Sequence, residues 1–474
     1  MSSHSRREFL QSATAVGLGF VGLRQLLGTT PAYAMGLDDK PTAMGFGPLR
    51  DDPNKLLDLP QGFSYKVIST VGETMSDGLL VPGQPDGMAA FAGADGKTLL
   101  LRNHELLEVE ARPLSPFGKD HVLLSKVPAE LMYDRGFGKT PCIGGVTTLV
   151  YDTKAQKLEK QFMSLAGTEY NCAGGPTPWN SWVSCEETVS TRDGEHEHDH
   201  GFAFEVPASA DMRVIKPQPI QPMGRFRREA IAVDPKTGVV YQTEDRDDGL
   251  ITRYIPNKPG EFLAGGRLQA LVIRDRKSCD TRNWVGDNGE YLAGRVSVGE
   301  KLAVEWMDLD EILAPKDDLR TRGFAAGAAR FARGEGMWYG GGRVFFACTN
   351  GGRIKAGQLF AYTPSEFEGS PRESDKPGML ELFIEPNDKT LLANADNLTF
   401  APWGDLVVCE DSDEKVQHLV GVTPQGKLYK IGRHTSGSEF AGSVFSPDGS
   451  TLFVNIQSVG KTIAITGPWL KARA

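Results

Sequence analysis

Six stretches of this chain repeat one design: a tight turn, a short apolar strand, then a polar end. They are DGKTLLLRNHE (Asp95–Glu105), TPWNSWVSCEE (Thr177–Glu187), PKTGVVYQTED (Pro235–Asp245), GGGRVFFACTN (Gly340–Asn350), PWGDLVVCED (Pro402–Asp411) and PDGSTLFVNIQ (Pro447–Gln457). DG, TG, GG and WG turns between apolar runs are hairpin signals. A first strand precedes each turn, and it opens on a polar residue: Asp86, Cys172, Glu229, Glu335, Asp396 or Glu439. Cys172 to Glu187, Glu229 to Glu244, Glu335 to Asn350 and Asp396 to Asp411 are each separated by 15 positions. In an antiparallel hairpin the start of one strand lies beside the end of the other, so both polar positions emerge opposite the turn. Six such units predict an all-β chain, a six-bladed β-propeller with long inter-strand insertions, such as GEHEHDHG and residues 364–377. The polar ends then converge on the axis, and Glu410 and Asp411 are expected at a central site.

Converging carboxylates repel one another unless cations neutralise them or some stay protonated. Oxygen ligands with few histidines favour Ca²⁺, Mg²⁺ or Mn²⁺. The surplus of acids favours several ions, an arrangement suited to in-line displacement at phosphorus. Cys172 breaks the oxygen pattern; it is either a ligand for a softer ion such as iron or zinc or a small buried hydrophobe. Cys185, Cys348 and Cys409 each stand one residue before a polar end, and strand alternation makes them packing residues. Arg333, two residues before Glu335, either binds substrate phosphate or forms a structural salt bridge. HEHDH (His196–His200) has the composition of a metal tract but is expected in a surface insertion. No P-loop, dinucleotide fingerprint or G-x-S-x-G elbow is present.

The formal charge of −9 argues against a nucleic-acid partner. Six cysteines without a CxxC pair exclude a zinc-finger framework. The first residues read as a targeting segment: the paired arginines of SRREFLQ, a weakly apolar run, and an A-x-A pattern at Ala32–Ala34. Residues 1–34 are therefore expected to be a twin-arginine signal peptide, with residues 35–474 a single propeller domain in the periplasm or outside the cell. No later run is apolar for long enough to span a membrane.

RNHE at Arg102, NCAGGPTPWNSWVSCEE at Asn171, GRFRREAIAVDPKTGVVYQTED at Gly224, FARGEGMWYGGGRVFFACTNGG at Phe331, ADNLTFAPWGDLVVCED at Ala395 and EFAGSVFSPDGSTLFVNIQ at Glu439 together resemble the PhoX family of alkaline phosphatases. The resemblance implies a phosphomonoesterase that holds ferric iron (Fe³⁺) and calcium, in which a metal-bridging oxygen attacks phosphorus. It implies that Cys172 binds iron, that Glu229 and Glu335 bind metal, and that Glu187, Glu244, Asp245, Asp396 and Asp411 match further acidic positions. Arg333 and Asn171 look like phosphate contacts. Arg228 and Gly334 depart from the family pattern, which has His and Pro there. Small phosphate esters and the twin-arginine translocation machinery are the expected partners, and a monomer is expected. The alternatives are a calcium-dependent propeller lactonase or esterase, and a metal-stabilised binding propeller without catalysis.

The export reading is tested by Arg6→Lys combined with Arg7→Lys. The variant is expected to stay in the cytoplasm with residues 1–34 intact; cell fractionation that finds it normally delivered to the periplasm removes the twin-arginine assignment.

Overall fold

The structure is a computed structural model that describes residues 45–107 and 114–470. By its contacts the chain divides into Met1–Leu37 and Asp38–Ala474. The first unit, and with it the expected signal peptide, lies outside the described residues.

The described residues are almost entirely β, with one eight-residue α-helix, Leu319–Ala326. All six hairpins expected from the sequence form as antiparallel pairs. Their first strands are Pro85–Ala92, Asn171–Pro176, Arg228–Val233, Gly334–Gly340, Ala395–Phe400 and Phe440–Phe445. Each first strand lies beside the next in chain order, and Phe440–Phe445 lies beside Pro85–Ala92, giving a propeller-like arrangement. Further strands extend the hairpins outward into one three-stranded, three four-stranded and one nine-stranded sheet. The nine-stranded sheet contains two meanders joined by Lys301–Asp308, which pairs with a strand of each. The early strand Ser64–Thr70 pairs with Lys461–Thr466 and completes the last sheet, so chain segments far apart in sequence share one set of backbone hydrogen bonds.

The core lies between successive sheets. In the first hairpin Met88 and Leu100 pack toward the last sheet with Val444 and Phe453, while Ala89, Leu99 and Leu101 pack toward the second with Trp182 and Phe204. A strand buried on both faces reads as a continuous apolar run, which is why LLL and VFF occur where a one-sided sheet would alternate. Cys185, Cys348 and Cys409 sit in three of these clusters. All six cysteines are free thiols, and no helix among the described residues is long and apolar enough to cross a membrane.

Near the axis the first strands crowd together. Gly87, Ala173, Ala230, Gly336, Asn397 and Gly442 line a void of only about 20 Å³. A Cβ on Gly442 would stand 2.3 Å from Asp86 O, and its φ is +61°. Gly442→Ala is therefore expected to cost about 3 kcal/mol, combining overpacking with left-handed strain. Gly404→Ala is the control, since its φ is +93° but nothing lies within 4 Å. Thermal unfolding should place Gly442→Ala well below Gly404→Ala; equal melting temperatures would mean that the axis is not tightly packed.

Candidate active site

Two backbone devices, repeated from hairpin to hairpin, build the site. The first is a β-bulge. Arg228 pairs with Glu244 and Ile231 with Gln242, so Glu229 and Ala230 together face the single residue Thr243. The same shift sets Asp86–Gly87, Cys172–Ala173, Glu335–Gly336 and Asp396–Asn397 against one partner residue each. A bulge re-aims its side chains, and in five hairpins it carries the polar first-strand residue. In the sixth the shift lies at Gly442–Ser443, and Glu439 precedes the strand. The second device is a left-handed residue two positions before the polar one. Gln84, Tyr170, Arg333 and Asn394 have φ between 42° and 51°, and Gly437 has φ 82°. Non-glycine residues in this region are strained and concentrate at functional sites.

The result is a cavity of about 470 Å³ over one end of the ring. Glu105, Glu187, Asp245, Asp411 and Gln457, from the second-strand ends, line it together with Glu439, Arg227, Arg333 and Tyr170. Below, Cys172, Glu187 and Glu229 present ligand atoms within 4.8 Å of one another, as do Glu229, Glu335 and Asp396, so Glu229 belongs to both sets. The Cys172 thiol is buried; its polar neighbours are the carbonyls of Arg228, Glu229 and Cys185, 3.5 to 3.9 Å away. Arg333 Nε and Nη2 grip both oxygens of Asp245 at 2.8 and 2.9 Å, and Nη2 reaches Glu335 at 2.8 Å. Arg227 is held in the same manner by the carbonyl and carboxylate of Glu187. Gln457 donates to Asp86 and Glu105 at 3.0 and 2.6 Å.

Seven of the acids and thiols expected from the sequence thus come together: Cys172, Glu187, Glu229, Asp245, Glu335, Asp396 and Asp411. Three residues do not join them. Glu244 accepts a hydrogen bond from Leu250 N and is placed beside Arg320, Asp317 and Asp248. Glu410, adjacent to Asp411, accepts from Ala393 N, His418 N and Lys430 Nζ. In both doublets alternation sends the first acid outward and only the second to the cavity. Asn171 is fully buried, and both ends of its amide are used inside the protein, by Thr168 Oγ1 and Ser184 Oγ. It does not line the cavity. Asp86, Glu105, Glu439, Tyr170 and Arg227 are in the site without having been proposed as ligands or contacts. Asp86 and Glu439 carried the repeat signal, as did Glu105 at the end of RNHE; Arg227 could have been found as the counterpart of Arg333, two residues before Glu229. Arg228 faces away, bonded to Gln242 and to the Met223 and Gly224 carbonyls.

A model of the family described as "Alkaline phosphatase PhoX" matches residues 44–460. The chain belongs to the PhoX family of alkaline phosphatases. It is a metal-dependent phosphoesterase. Among solved structures it is similar to Pseudomonas fluorescens PhoX in complex with vanadate, a transition state analogue, at TM-score 0.65 and 17% identity over 90% of this chain and 98% of that one. A gluconolactonase from Xanthomonas campestris aligns at TM-score 0.38 and 9% identity, covering 85% and 98% of the two chains. A putative 6-phosphogluconolactonase from Bacteroides uniformis aligns at 0.38 and 12%, covering 83% and 89%. No curated protein sequence matches the chain.

The residues present at this PhoX-family site fit bound cations. Asp86 Oδ1 is buried with no hydrogen-bond partner. Burial, with repulsion from neighbouring carboxylates, pushes Asp86, Glu187, Glu229, Glu335 and Glu439 well above the ordinary range, and Asp396 up to about 7. Burial likewise raises the Cys172 thiol, with Glu229 and Glu187 adding to it. Among the described residues, Arg227 and Arg333 are the cations of the cavity wall that offset this charge. Acids whose folded pKa is raised bind more protons when folded, so stability falls as pH rises from the unfolded values, 3.8 for Asp, through the folded one, about 7 for Asp396. With cations stripped by a chelator, the melting temperature is expected to fall between about pH 5 and about pH 8, and added Ca²⁺ should abolish the fall. A chelated protein whose melting temperature is flat or rises over that range would show that the ring is not destabilised by its own charge.

Proposed function

We propose that this chain is an exported phosphomonoesterase whose ring holds Fe³⁺ and Ca²⁺ on a six-bladed propeller. The observation that carries the reading is the pairing of two anchored guanidinium groups with a floor of buried, under-neutralised carboxylates in one cavity. Cys172, Glu187 and Glu229 form the seat suited to iron, because a thiolate favours a softer ion than calcium. Glu229, Glu335 and Asp396 form the adjoining seat, with Glu229 shared. Asp86, Glu105, Asp411 and Glu439 supply the all-oxygen environment that Ca²⁺ prefers. When bound, the cations supply Lewis acidity and a nucleophile at phosphorus.

The chain's own residues bind and orient the ester. Asp245 and Glu335 immobilise Arg333, whose Nη1 makes no protein hydrogen bond among the described residues and is free to meet a phosphoryl oxygen. The charge of Glu335 keeps that guanidinium protonated at any working pH. Arg227 faces the same cavity from the preceding hairpin position. Two fixed cations suit a phosphoryl group whose charge spreads over its equatorial oxygens. Tyr170, kept protonated by the charge of Glu105 and by burial, is a neutral donor at the same wall. The six-bladed reading is supported by the six paired hairpins and by the way the last first-strand neighbours the first. Delivery to the periplasm or beyond through the twin-arginine machinery is supported by the paired arginines at Arg6 and Arg7. A monomeric state and small phosphate-ester substrates complete the reading.

Cys172→Ser is expected to remove iron and its thiolate-to-iron absorption while the fold persists, lowering aryl phosphate hydrolysis by roughly a hundredfold or more. Glu335→Gln should weaken the adjoining seat and loosen Arg333, with a comparable loss. If both variants keep full activity, the reaction does not occur at this ring.

A further inference from the structure

The histidine tract HEHDH lies on a loop that exposes His198 and Asp199 but turns His196 and His200 inward. His200 is fully buried, and His196 packs edge-on against it with ring centroids 5.5 Å apart. Cys142 lies beside both, and Glu169 lies beside His196; Cys142 and Glu169 are also buried. Cys142, Glu169 and His196 present ligand atoms within 4.8 Å of one another, and so do Cys142, His200 and Asp134. We propose that Cys142, Glu169, His196 and His200 form a structural site for one zinc-class transition-metal ion, separate from the ring.

Four observations carry this. The donor set, one thiol, two imidazoles and a carboxylate, is one that zinc takes, and its enclosure matches structural sites, which are closed. The separations fit ligand-to-ligand edges better than hydrogen bonds. Cys142 Sγ lies 3.8 Å from His200 Nε2, and Glu169 Oε1 lies 3.4 Å from His196 Nε2. Tetrahedral coordination at zinc–nitrogen and zinc–oxygen distances of about 2.0 Å and a zinc–sulfur distance of about 2.3 Å gives edges of about 3.5 and about 3.3 Å. Each histidine has its other nitrogen on a carboxylate, His200 Nδ1 on Glu186 at 2.7 Å and His196 Nδ1 on Asp193 at 3.2 Å. Metal-binding imidazoles are oriented in that way. Finally, Glu169 Oε2 is buried and has no hydrogen-bond partner. Asp134 accepts the backbone N–H groups of Gly136, Glu197 and His198 and also lies 3.3 Å from His200 Nε2, a contact that His200 exchanges for the ion in the proposed site.

The test uses full-length protein loaded with Zn²⁺, and separately with Co²⁺ as a spectroscopic probe. Wild type and Cys172→Ser should both retain an equivalent of zinc, and both should show a sulfur-to-cobalt charge-transfer band. Cys142→Ser and His196→Gln should each lose one equivalent, and Cys142→Ser should lose the band that persists in Cys172→Ser. Because His196 is only partly buried, His196→Gln decides the matter should Cys142→Ser fail to fold. Zinc content that is the same in wild type and His196→Gln, or a Cys172→Ser protein with no cobalt–thiolate band, overturns the proposal.

Discussion

Mutual repulsion among buried carboxylates is the constraint to which the rest of this structure answers. Asp86, Glu105, Glu187, Glu229, Glu335, Asp396, Asp411 and Glu439 all have their ionised forms disfavoured at one end of the ring. Left to itself, such a cluster drives its members apart or into their neutral forms. It persists because backbone, not side-chain attraction, fixes each member. A bulge positions the acid or thiol in five hairpins, and a left-handed residue precedes it by two positions in five. Sheet hydrogen bonds and the apolar layers between sheets hold those backbones, so the electrostatic strain of the site is carried by a scaffold built from unrelated interactions. A cation that binds there gains from strain already in place, which is pre-organisation in the sense of having the donors fixed before the ligand arrives.

The second-strand ends show how the same strands serve two purposes. In Glu186–Glu187, Glu244–Asp245 and Glu410–Asp411 the second acid enters the cavity, while the first turns back to the protein. Glu186 accepts N–H groups from Gly201 and Phe202, Glu244 from Leu250 and Glu410 from His418. In each case the bonded segment leads into, or opens, a following strand. The first acid therefore fixes where the chain leaves the site, and the second acts in it. Exchanging their roles would need a one-residue register slip, which would also turn the apolar residues of the strand to the wrong face.

This division explains what could and could not be read from the sequence. The hairpins and the polar starts of their first strands were legible because turn residues and apolar runs are local signals. Glu244, placed among the metal ligands, and Glu410, expected at the central site, were misplaced because a doublet at a strand end does not say which member faces inward; that depends on the bulge in the partner strand. Asn171 was misplaced for a similar reason. It precedes Cys172, and alternation turns it into the sheet, where Thr168 and Ser184 use its amide. Arg227 and Tyr170 were missed because their importance comes from their position two residues ahead of Glu229 and Cys172, a pattern that emerges only when the hairpins are superposed. HEHDH is a partly exposed loop, as expected, but the inward turn of His196 and His200 was not legible because Cys142 and Glu169 lie on other segments far from it in sequence.

Glu186 connects the two regions. Its carboxylate holds His200 Nδ1 and the backbone N–H groups of Glu169, Gly201 and Phe202. Its peptide neighbour is Glu187, which belongs to the cavity and to the Cys172 seat. Glu169 likewise stands next to Tyr170 in the chain, and Tyr170 O accepts the N–H of Glu187. Anything that orders His196 and His200 therefore acts on the backbone on both sides of the ring position occupied by Cys172 and Glu187. Because these links are hydrogen bonds to buried, satisfied groups, breaking one exposes a partner to the full cost of an unpaired buried polar atom. The insertion between Glu187 and Ala203 is thus a structural support for the cavity wall rather than a loop appended to it.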